Sequence, residues 1–321
     1  MDKYAIGIDL GGTNIKAALV HSEKGIIEKA STPTNADQGL EHVLTQLATI
    51  AKRVSKDFEP EKILGIGIGA PGVISLDRTT VSHPPNLPGW EEVHVAKELE
   101  ERTGWHTRVE NDANLAALGS SRFGAGKNFD HFIMVTLGTG VGGGIIYNRD
   151  LFRGATGGAA ELGHVSIDYN GAKSNSPAIG GIEAYLGQRF LSTHAWDVIS
   201  DNRDNELYSM FSDNPEKLDP LALFEAAEKG NRLAIDILAE AGEKLGVAIT
   251  NYIHILDIRK IIVSGGVAKA GKYILETAHC TALERLLPPM RTDFEIIYED
   301  LGNDAALLGA ASLGMETALD S

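Results

Sequence analysis

One pattern of residues occurs twice in this chain of 321 residues. The stretches AIGIDLGGTNIKAALV and FIMVTLGTGVGGGIIY each consist of an apolar run, a glycine-rich turn and a second apolar run. They align without a gap, with Leu137 on Leu10 and Gly138 on Gly11, at a constant offset of 127 residues. Two apolar runs around a tight turn are typical of a β-hairpin. The repeat therefore predicts two copies of one α/β unit, each of which begins with a hairpin.

The rest of the chain mixes helical and strand patterns, which predicts a layered α/β fold. Apolar residues at helical spacing predict helices at LEHVLTQLATIAKRV, at WEEVHVAKELEERT, after Asn111 or Asp112 as N-cap, and over residues 231–256. The runs KILGIGIGA, HTRVE and KIIVS predict strands. Residues 200–220 are polar with two prolines and are predicted to be an exposed insertion. The predicted domains are residues 1–114 with a C-terminal helix at about 303–321, and residues 115–302.

Composition excludes several classes of protein. A formal net charge of −15 argues against a nucleic-acid partner, because phosphate backbones require basic patches. No apolar run reaches the length of a membrane helix, and the N-terminus enters a strand without a basic leader, so a cytoplasmic location is predicted. The single cysteine, Cys280, excludes an intrachain disulfide, and its apolar context predicts a buried thiol.

Three glycine-rich turns follow apolar strands, at residues 9–13, 137–144 and 264–267. Glycine lets backbone amides approach a phosphate closely, although each turn alone is also compatible with a plain hairpin. The spacing G-x-G-x-x-G occurs at residues 67–72 and 138–143, but neither copy precedes a helix, so a dinucleotide site is rejected. Asp9 could bind Mg²⁺ through water. Hydroxyls and charge for phosphate oxygens come from Thr13, Thr139 and Lys16.

The motifs DLGGTNIK, APGVI, VENDAN, LGTGVGGG, ELGH and IVSGGV together resemble the ROK family of sugar kinases and sugar-sensing repressors. The resemblance runs through nearly the whole chain and is weakest at residues 187–225. It implies two RNase-H-like domains of the actin-like ATPase superfamily around a hinged cleft, with ATP and Mg²⁺ as cofactors. The nucleotide-binding residues that it implies are Asp9, Gly11, Gly12, Thr13, Lys16, Gly138, Thr139, Gly140, Gly265 and Gly266.

The stretch ELGHVSIDYNGAKSNSPAIGGIE combines two glutamates and a histidine, which could be metal ligands, acid/base groups or hydrogen-bonding groups for a polar ligand. The resemblance favours the third interpretation, with Glu161, His164 and Glu183 as sugar ligands. It also implies that Asp112 is the catalytic base. The remaining substrate-binding residues are predicted to be Gly72, Asn86 and Asn111.

The chain departs from the family pattern in the same stretch. Most family members carry three cysteines after the ELGH motif, which bind a structural zinc ion together with the motif's histidine. The matching positions here are Ser174, Ser176 and Gly181. Hydroxyl groups are poor zinc ligands beside thiolates, so no zinc site is predicted.

The resulting hypothesis is an ATP-dependent hexose 6-phosphotransferase, with glucose as the first expected sugar and a homodimer as the expected assembly. Alternatives are N-acetylmannosamine, N-acetylglucosamine or fructose as acceptor, and polyphosphate as donor. A repressor carries a DNA-binding domain before the first glycine turn, which here begins at residue 9 in an acidic chain. A non-catalytic actin-like ATPase would give no reason for the sugar ligands.

Overall fold

The computed structural model of the protein describes residues 3–317. The strands in this range are β1 (Tyr4–Leu10), β2 (Asn14–His21), β3 (Gly25–Pro33), β4 (Ile63–Ala70), β5 (Val73–Ile74), β6 (Val81–Ser82), β7 (Glu92–Val93), β8 (Thr107–Asn111), β9 (Phe132–Leu137), β10 (Val141–Tyr147), β11 (Asp150–Leu151), β12 (Lys260–Ser264) and β13 (Glu295–Tyr298). The α-helices are α1 (Leu40–Ser55), α2 (Val95–Thr103), α3 (Asp112–Phe123), α4 (Glu183–Leu186), α5 (Gln188–Ser200), α6 (Glu206–Phe211), α7 (Pro220–Glu228), α8 (Arg232–Leu256), α9 (Lys272–Arg285) and α10 (Asp304–Glu316).

The first sheet has the strand order β3-β2-β1-β4-β8. Strands β1 and β2 form the predicted antiparallel hairpin, in which Asp9 is opposite Lys16. Strands β4 and β8 continue the sheet in parallel to β1. The apolar side chains of β1, β4 and α1 form the core on one face of this sheet.

The second sheet has the order β11-β10-β9-β12-β13 and repeats the arrangement of the first. Strands β9 and β10 are neighbours on either side of residues 138–140, and β12 pairs in parallel with β9. The predicted repeat is therefore present as two sheets with the same strand order. A short antiparallel sheet, β5-β6-β7, accompanies the first.

Helix α10 packs directly on glycines of the first sheet. A Cβ atom built on Gly67 of β4 would lie 1.8 Å from the backbone oxygen of Ala310, and one built on Gly7 of β1 would lie 2.1 Å from that of Leu307. The same helix crosses α3 where Gly309 contacts the backbone of Leu115. Gly67, the first glycine of the first G-x-G-x-x-G pattern, therefore permits close packing of the helix on the sheet.

The described chain divides into two compact units. The first consists of residues 3–130, 144–160 and 301–317, and the second of residues 131–143 and 161–300. The predicted boundary at residue 114 falls inside α3, which belongs as a whole to the first unit. Of the predicted C-terminal helix, residues 318–321 lie outside the described residues.

Two predictions about local structure are wrong. The helix predicted from Trp90 begins at Val95, because Glu92 and Val93 pair with β6 instead. Cys280 is exposed on α9. Residues 200–220 are mostly exposed, as predicted, but they contain α6 and bury Leu207 and Leu218 completely or almost completely. Within residues 3–317, no helix combines the length and the hydropathy required to cross a membrane.

Candidate functional site

The turn between β1 and β2 has a backbone shape fixed by hydrogen bonds. The amide of Gly11 donates to the carbonyl oxygen of Asn14 at 3.1 Å. Thr34 supports the turn twice, because its hydroxyl donates to the carbonyl oxygen of Gly11 at 2.6 Å and its amide donates to that of Thr13 at 2.8 Å. Gly12 and Thr13 are exposed at the tip, where their amides and hydroxyl can meet a ligand.

Asp9 and Lys16 lie side by side at the base of this turn, with 3.6 Å between Lys16 Nζ and Asp9 Oδ2. Burial raises the pKa of the Asp9 carboxyl, and the charge of Lys16 opposes this effect only partly. A bound divalent cation would favour the ionised carboxylate and relieve that penalty. The residues present therefore fit a Mg²⁺ ion held near Asp9.

Two further predicted residues lie close to the same region of the first unit. A Cβ atom on Gly12 would be 3.0 Å from Asn86 Cβ, so the loop of Asn86 contacts the tip of the turn. Asn86 has a φ of 66°, and Trp90, 4% exposed, packs its loop into the core. Gly72 has a φ of 96° and would place a Cβ atom 2.8 Å from Pro84 Cα. Only glycine fits this position without strain.

Asn111 is the N-cap of α3, as one of the two predicted alternatives stated. Its Oδ1 accepts hydrogen bonds from the amides of Ala113 at 2.9 Å and Asn114 at 3.3 Å. The cap fixes the orientation of the side-chain amide, so that Nδ2 is the group left to donate to a ligand. Asp112 follows as the first helical residue, and its carboxylate is at the surface.

The two predicted nucleotide loops of the second unit are neighbours. Thr136 of β9 is in register with Ser264 of β12, so both strands end at the same edge of the sheet. Gly265 has a φ of 100°, and a Cβ atom there would lie 2.2 Å from the carbonyl oxygen of Leu137. A Cβ atom on Gly266 would meet no other atom within 4 Å. The structure therefore brings residues 138–140 and 265–266 together.

Glu183 contacts the first of these loops. Its Oε2 accepts a hydrogen bond from the amide of Val141 at 3.2 Å. A Cβ atom on Gly140 would lie 2.3 Å from the same oxygen. Gly138 and Thr139 complete the loop, and Gly138 accepts a hydrogen bond from the amide of Gln188 at 2.9 Å. Glu183, predicted only as a sugar ligand, is thus also part of the support of the predicted nucleotide loop.

Glu161 and His164 lie at a single helical turn, with 3.6 Å between His164 Nε2 and Glu161 Oε2. Both side chains are exposed. The turn is attached to α8 because the hydroxyl of Tyr252 donates to the carbonyl oxygen of Leu162 at 2.8 Å in a buried position. The apolar pattern over residues 231–256 predicts a helix and gives Tyr252 no further role. The hydroxyl of Tyr252, on an otherwise apolar face of that helix, was the signal in the sequence for its hydrogen bond to residue 162.

The segment that replaces the family's zinc site is organised by hydrogen bonds. The Ser174 hydroxyl donates to that of Ser176 at 3.2 Å and accepts from the amide of Ser176. The hydroxyl of Tyr185 accepts from the amide of Ala172 at 3.0 Å. Among residues 3–317, no group of three or more His, Cys, Asp or Glu side chains could bind a metal ion. The donor set of Ser174, Ser176 and Gly181 does not fit zinc.

A cavity of about 470 Å³ in the second unit was not predicted from the sequence. Thr139 lines it together with residues of α5 and of the segment 215–219. Trp196 also lines it and stacks on Tyr208, with 6.0 Å between ring centroids. Part of the segment 200–220 therefore forms a wall of this cavity beside the predicted nucleotide loop.

The chain belongs to the ROK family, whose sequence model matches residues 5–317. It is 34% identical over 308 residues to a glucokinase of Thermotoga maritima, covering 96% of each chain. It is 28% identical to a xylose repressor of Caldicellulosiruptor bescii, covering 96% of this chain and 77% of the repressor.

Comparison of structures agrees with this assignment. A ROK family glucokinase of Streptomyces griseus, solved in complex with glucose and AMPPNP, superposes with a TM-score of 0.81. The two are 31% identical in sequence, and the match covers 97% of this chain and 98% of the other. The predicted α/β class with two actin-like units is confirmed.

Proposed function

We propose that this protein is an ATP-dependent sugar kinase that phosphorylates the 6-hydroxyl of glucose. The similarity to glucokinases over nearly the whole chain supports the activity. Within the structure, the proposal depends on one observation: the cap at Asn111 places a fixed amide donor next to the exposed carboxylate of Asp112. A sugar hydroxyl requires such a donor and acceptor pair.

In the proposed reaction, the Asp112 carboxylate accepts the proton of the sugar hydroxyl. The hydroxyl oxygen forms a bond with the γ-phosphorus of ATP, the bond between that phosphorus and the β–γ bridging oxygen breaks, and ADP leaves. Asn111 orients the sugar through Nδ2. Glu161, His164 and Glu183 provide further hydrogen bonds to sugar hydroxyls and so select the acceptor.

The nucleotide is assigned to the glycine turns, because Gly12 is exposed at the tip of the first turn and a Cβ atom on Gly138 or Gly266 would meet no other atom within 4 Å, which leaves room for close approach of a ligand. We infer that residues 11–13 bind the terminal phosphates, and that residues 138–140 and 265–266 bind the rest of the nucleotide. The cavity beside Thr139 has the size and the aromatic wall for the base. Asp9 would hold Mg²⁺, which neutralises charge on the phosphates when bound.

The test is a coupled assay of ADP release with glucose, fructose, N-acetylglucosamine and N-acetylmannosamine, each with ATP and with polyphosphate. We expect turnover with glucose and ATP. Asp112→Asn should lower kcat by about 100- to 10,000-fold, the usual contribution of a general base, while glucose binding persists. Near-normal turnover by Asp112→Asn would remove the proposed base. Absence of turnover by the parent protein with every sugar would favour a sugar-sensing role.

The homodimer and the cytoplasmic location remain predictions. Family resemblance supports the first, and sedimentation velocity of the purified protein would test it.

A further inference from the structure

A buried cluster of charges lies directly behind the Asn111–Asp112 pair. Glu110, at the end of β8, has no solvent exposure. Its Oε2 is 2.6 Å from Nε of Arg153 and 3.3 Å from Nε of Arg78. The side chains of the two arginines are only 9% and 14% exposed. All three residues belong to the first unit.

The other carboxylate oxygen of Glu110 supports the start of α3. Oε1 accepts a hydrogen bond from the amide of Asn111 at 2.9 Å and one from Nδ2 of Asn114 at 3.1 Å. One carboxylate therefore fixes both the backbone of the N-cap residue and a side chain one helical turn later. The position of the cap follows the position of Glu110.

Arg153 connects Glu110 to a second segment. Its Nη1 donates to the carbonyl oxygen of Leu76 at 2.7 Å, and its Nη2 donates to that of Ser75 at 3.0 Å. The same segments meet again nearby, because a Cβ atom on Gly157 would lie 2.9 Å from the carbonyl oxygen of Ile74. The planar guanidinium makes these contacts simultaneously, which an ammonium group cannot.

Such a cluster is an inefficient way to stabilise a fold. Removing charges from water costs several kcal/mol for each ion, and apolar residues of similar volume often serve equally well. The contacts of Glu110 Oε2 with the two arginines are ion pairs outside hydrogen-bond geometry. The benefit is geometric, because the hydrogen bonds at the two ends of the cluster, which Glu110 Oε1 accepts from residues 111 and 114 and which Arg153 donates to the carbonyls of residues 75 and 76, each have a narrow range of distance and angle. Its location beside the proposed base suggests which geometry is controlled.

We propose that Arg153 is a positioning residue for phosphoryl transfer. Through Glu110 it sets the position of Asn111 and Asp112, and through the carbonyls of residues 75 and 76 it ties them to the segment that follows Gly72. This inference rests on the proposed function, since it concerns the same sugar-binding pair. It adds a residue that does not itself touch the substrate.

The experiment compares Arg153→Met, Arg153→Lys and the double variant Glu110→Gln/Arg153→Met with the parent. Arg149→Met is the matched control, because Arg149 precedes Arg153 by four residues and makes an exposed ion pair with Asp130. Steady-state kinetics are measured with glucose and ATP varied separately. Glucose affinity is measured by calorimetry without nucleotide, and folding by thermal melting.

For Arg153→Met we expect kcat/KM for glucose to fall by about 100-fold, the cost of misplacing reacting groups by about 1 Å. Glucose affinity should fall with it, while KM for ATP stays within about twofold of the parent value, in keeping with a local defect. Arg153→Lys should recover part of the loss. The double variant should melt at a higher temperature than Arg153→Met, because it leaves no buried carboxylate with Arg78 as its one remaining charged partner, yet remain impaired with glucose.

The proposal is overturned if Arg153→Met matches Arg149→Met in its glucose kinetics. It is also overturned if the double variant regains full activity, because charge balance alone would then suffice. An equal fall of kcat/KM for glucose and for ATP, together with a lower melting temperature, would show that Arg153 has a purely structural role. Failure of the proposed function is recognised separately, by absence of turnover in the parent protein.

Discussion

Gly140 and Gly138 occupy the same loop but differ in what a side chain would meet. A Cβ atom on Gly140 would lie 2.3 Å from Oε2 of Glu183, whereas one on Gly138 has no atom within 4 Å. Ordinary van der Waals contact begins at 3.4 Å. In Gly140→Ala the carboxylate oxygen must therefore retreat by about 1 Å, which a flexible side chain can do.

The retreat has a small effect on folding and a larger one on function. It breaks the hydrogen bond from the amide of Val141 to Glu183, which contributes about 1–2 kcal/mol in this partly buried position. Because Glu183 is a proposed sugar ligand, a displacement of about 1 Å should cost on the order of 100-fold in kcat/KM for glucose, or about 2.7 kcal/mol.

Gly138→Ala serves as the contrast. Its methyl group does not reach Glu183, so glucose parameters should stay close to those of the parent, while KM for ATP rises because the loop approaches the nucleotide less closely. Gly158→Ala provides a neutral folding control, since a Cβ atom on Gly158 has no atom within 4 Å.

The assay is the coupled measurement of ADP release with each substrate varied in turn, accompanied by thermal melting. Gly140→Ala should melt within a few degrees of the parent, about 2–4 °C for each kcal/mol lost. Unchanged glucose kinetics in Gly140→Ala would refute the role of Glu183 as a sugar ligand held by this loop. Identical defects in both loop variants would refute the separation of sugar and nucleotide functions.

Three further predictions follow from single features of the structure. Burial raises the pKa of Asp9 in the folded protein, so protonation of this carboxyl stabilises the fold at low pH, and that stabilisation is lost as the pH rises through the raised pKa. Asp9→Asn should therefore melt at a higher temperature than the parent at pH 7 but not at about pH 3. The same variant should lose turnover. A lower melting temperature of this variant at pH 7 would contradict that sign. Gly67→Ala should lower the free energy of unfolding by about 3 kcal/mol or more in denaturant titrations, because its methyl group would overlap the backbone of Ala310, and a loss below about 0.5 kcal/mol would contradict the packing. Elemental analysis of the purified protein should find no stoichiometric zinc, because Ser174 and Ser176 replace the thiolate ligands. Treatment with a chelator before assay with excess Mg²⁺ should leave activity unchanged. One zinc per chain would refute the prediction that this segment binds no zinc.

Local patterns allowed most of the fold to be predicted. The repeated hairpins depend on residues close in sequence, and the N-cap of α3 depends on Asn111 and its next three residues. Helix α8 begins one residue after the predicted start, because Asn231 is its N-cap, and it ends at the predicted residue. These features are decided by short-range propensity and by periodicity, which a sequence displays directly.

Long-range pairing explains what was missed. Glu110 looked like an ordinary residue of a short strand, because its partner Arg153 is 43 positions away. Pairing with β6 converted Glu92 and Val93 from predicted helix to strand. The segment 200–220, which forms a wall of the cavity beside Thr139, buries Leu207 completely. Its polar composition gives no indication of this burial. In each case the deciding contact lies outside any local window.

The dependence of the first sheet on α10 has a consequence for synthesis of the chain on the ribosome. Leu307, Leu308 and Ala311 complete a core with Ala5, Ala18 and Val20, which emerge almost three hundred residues earlier. One apolar face of the N-terminal sheet therefore stays uncovered until α10 has been synthesised. The second unit emerges from the ribosome during that interval, because its described elements lie between residues 131 and 300. The order of translation thus favours completion of the second unit before the first, and makes the nascent first sheet the natural client of a chaperone.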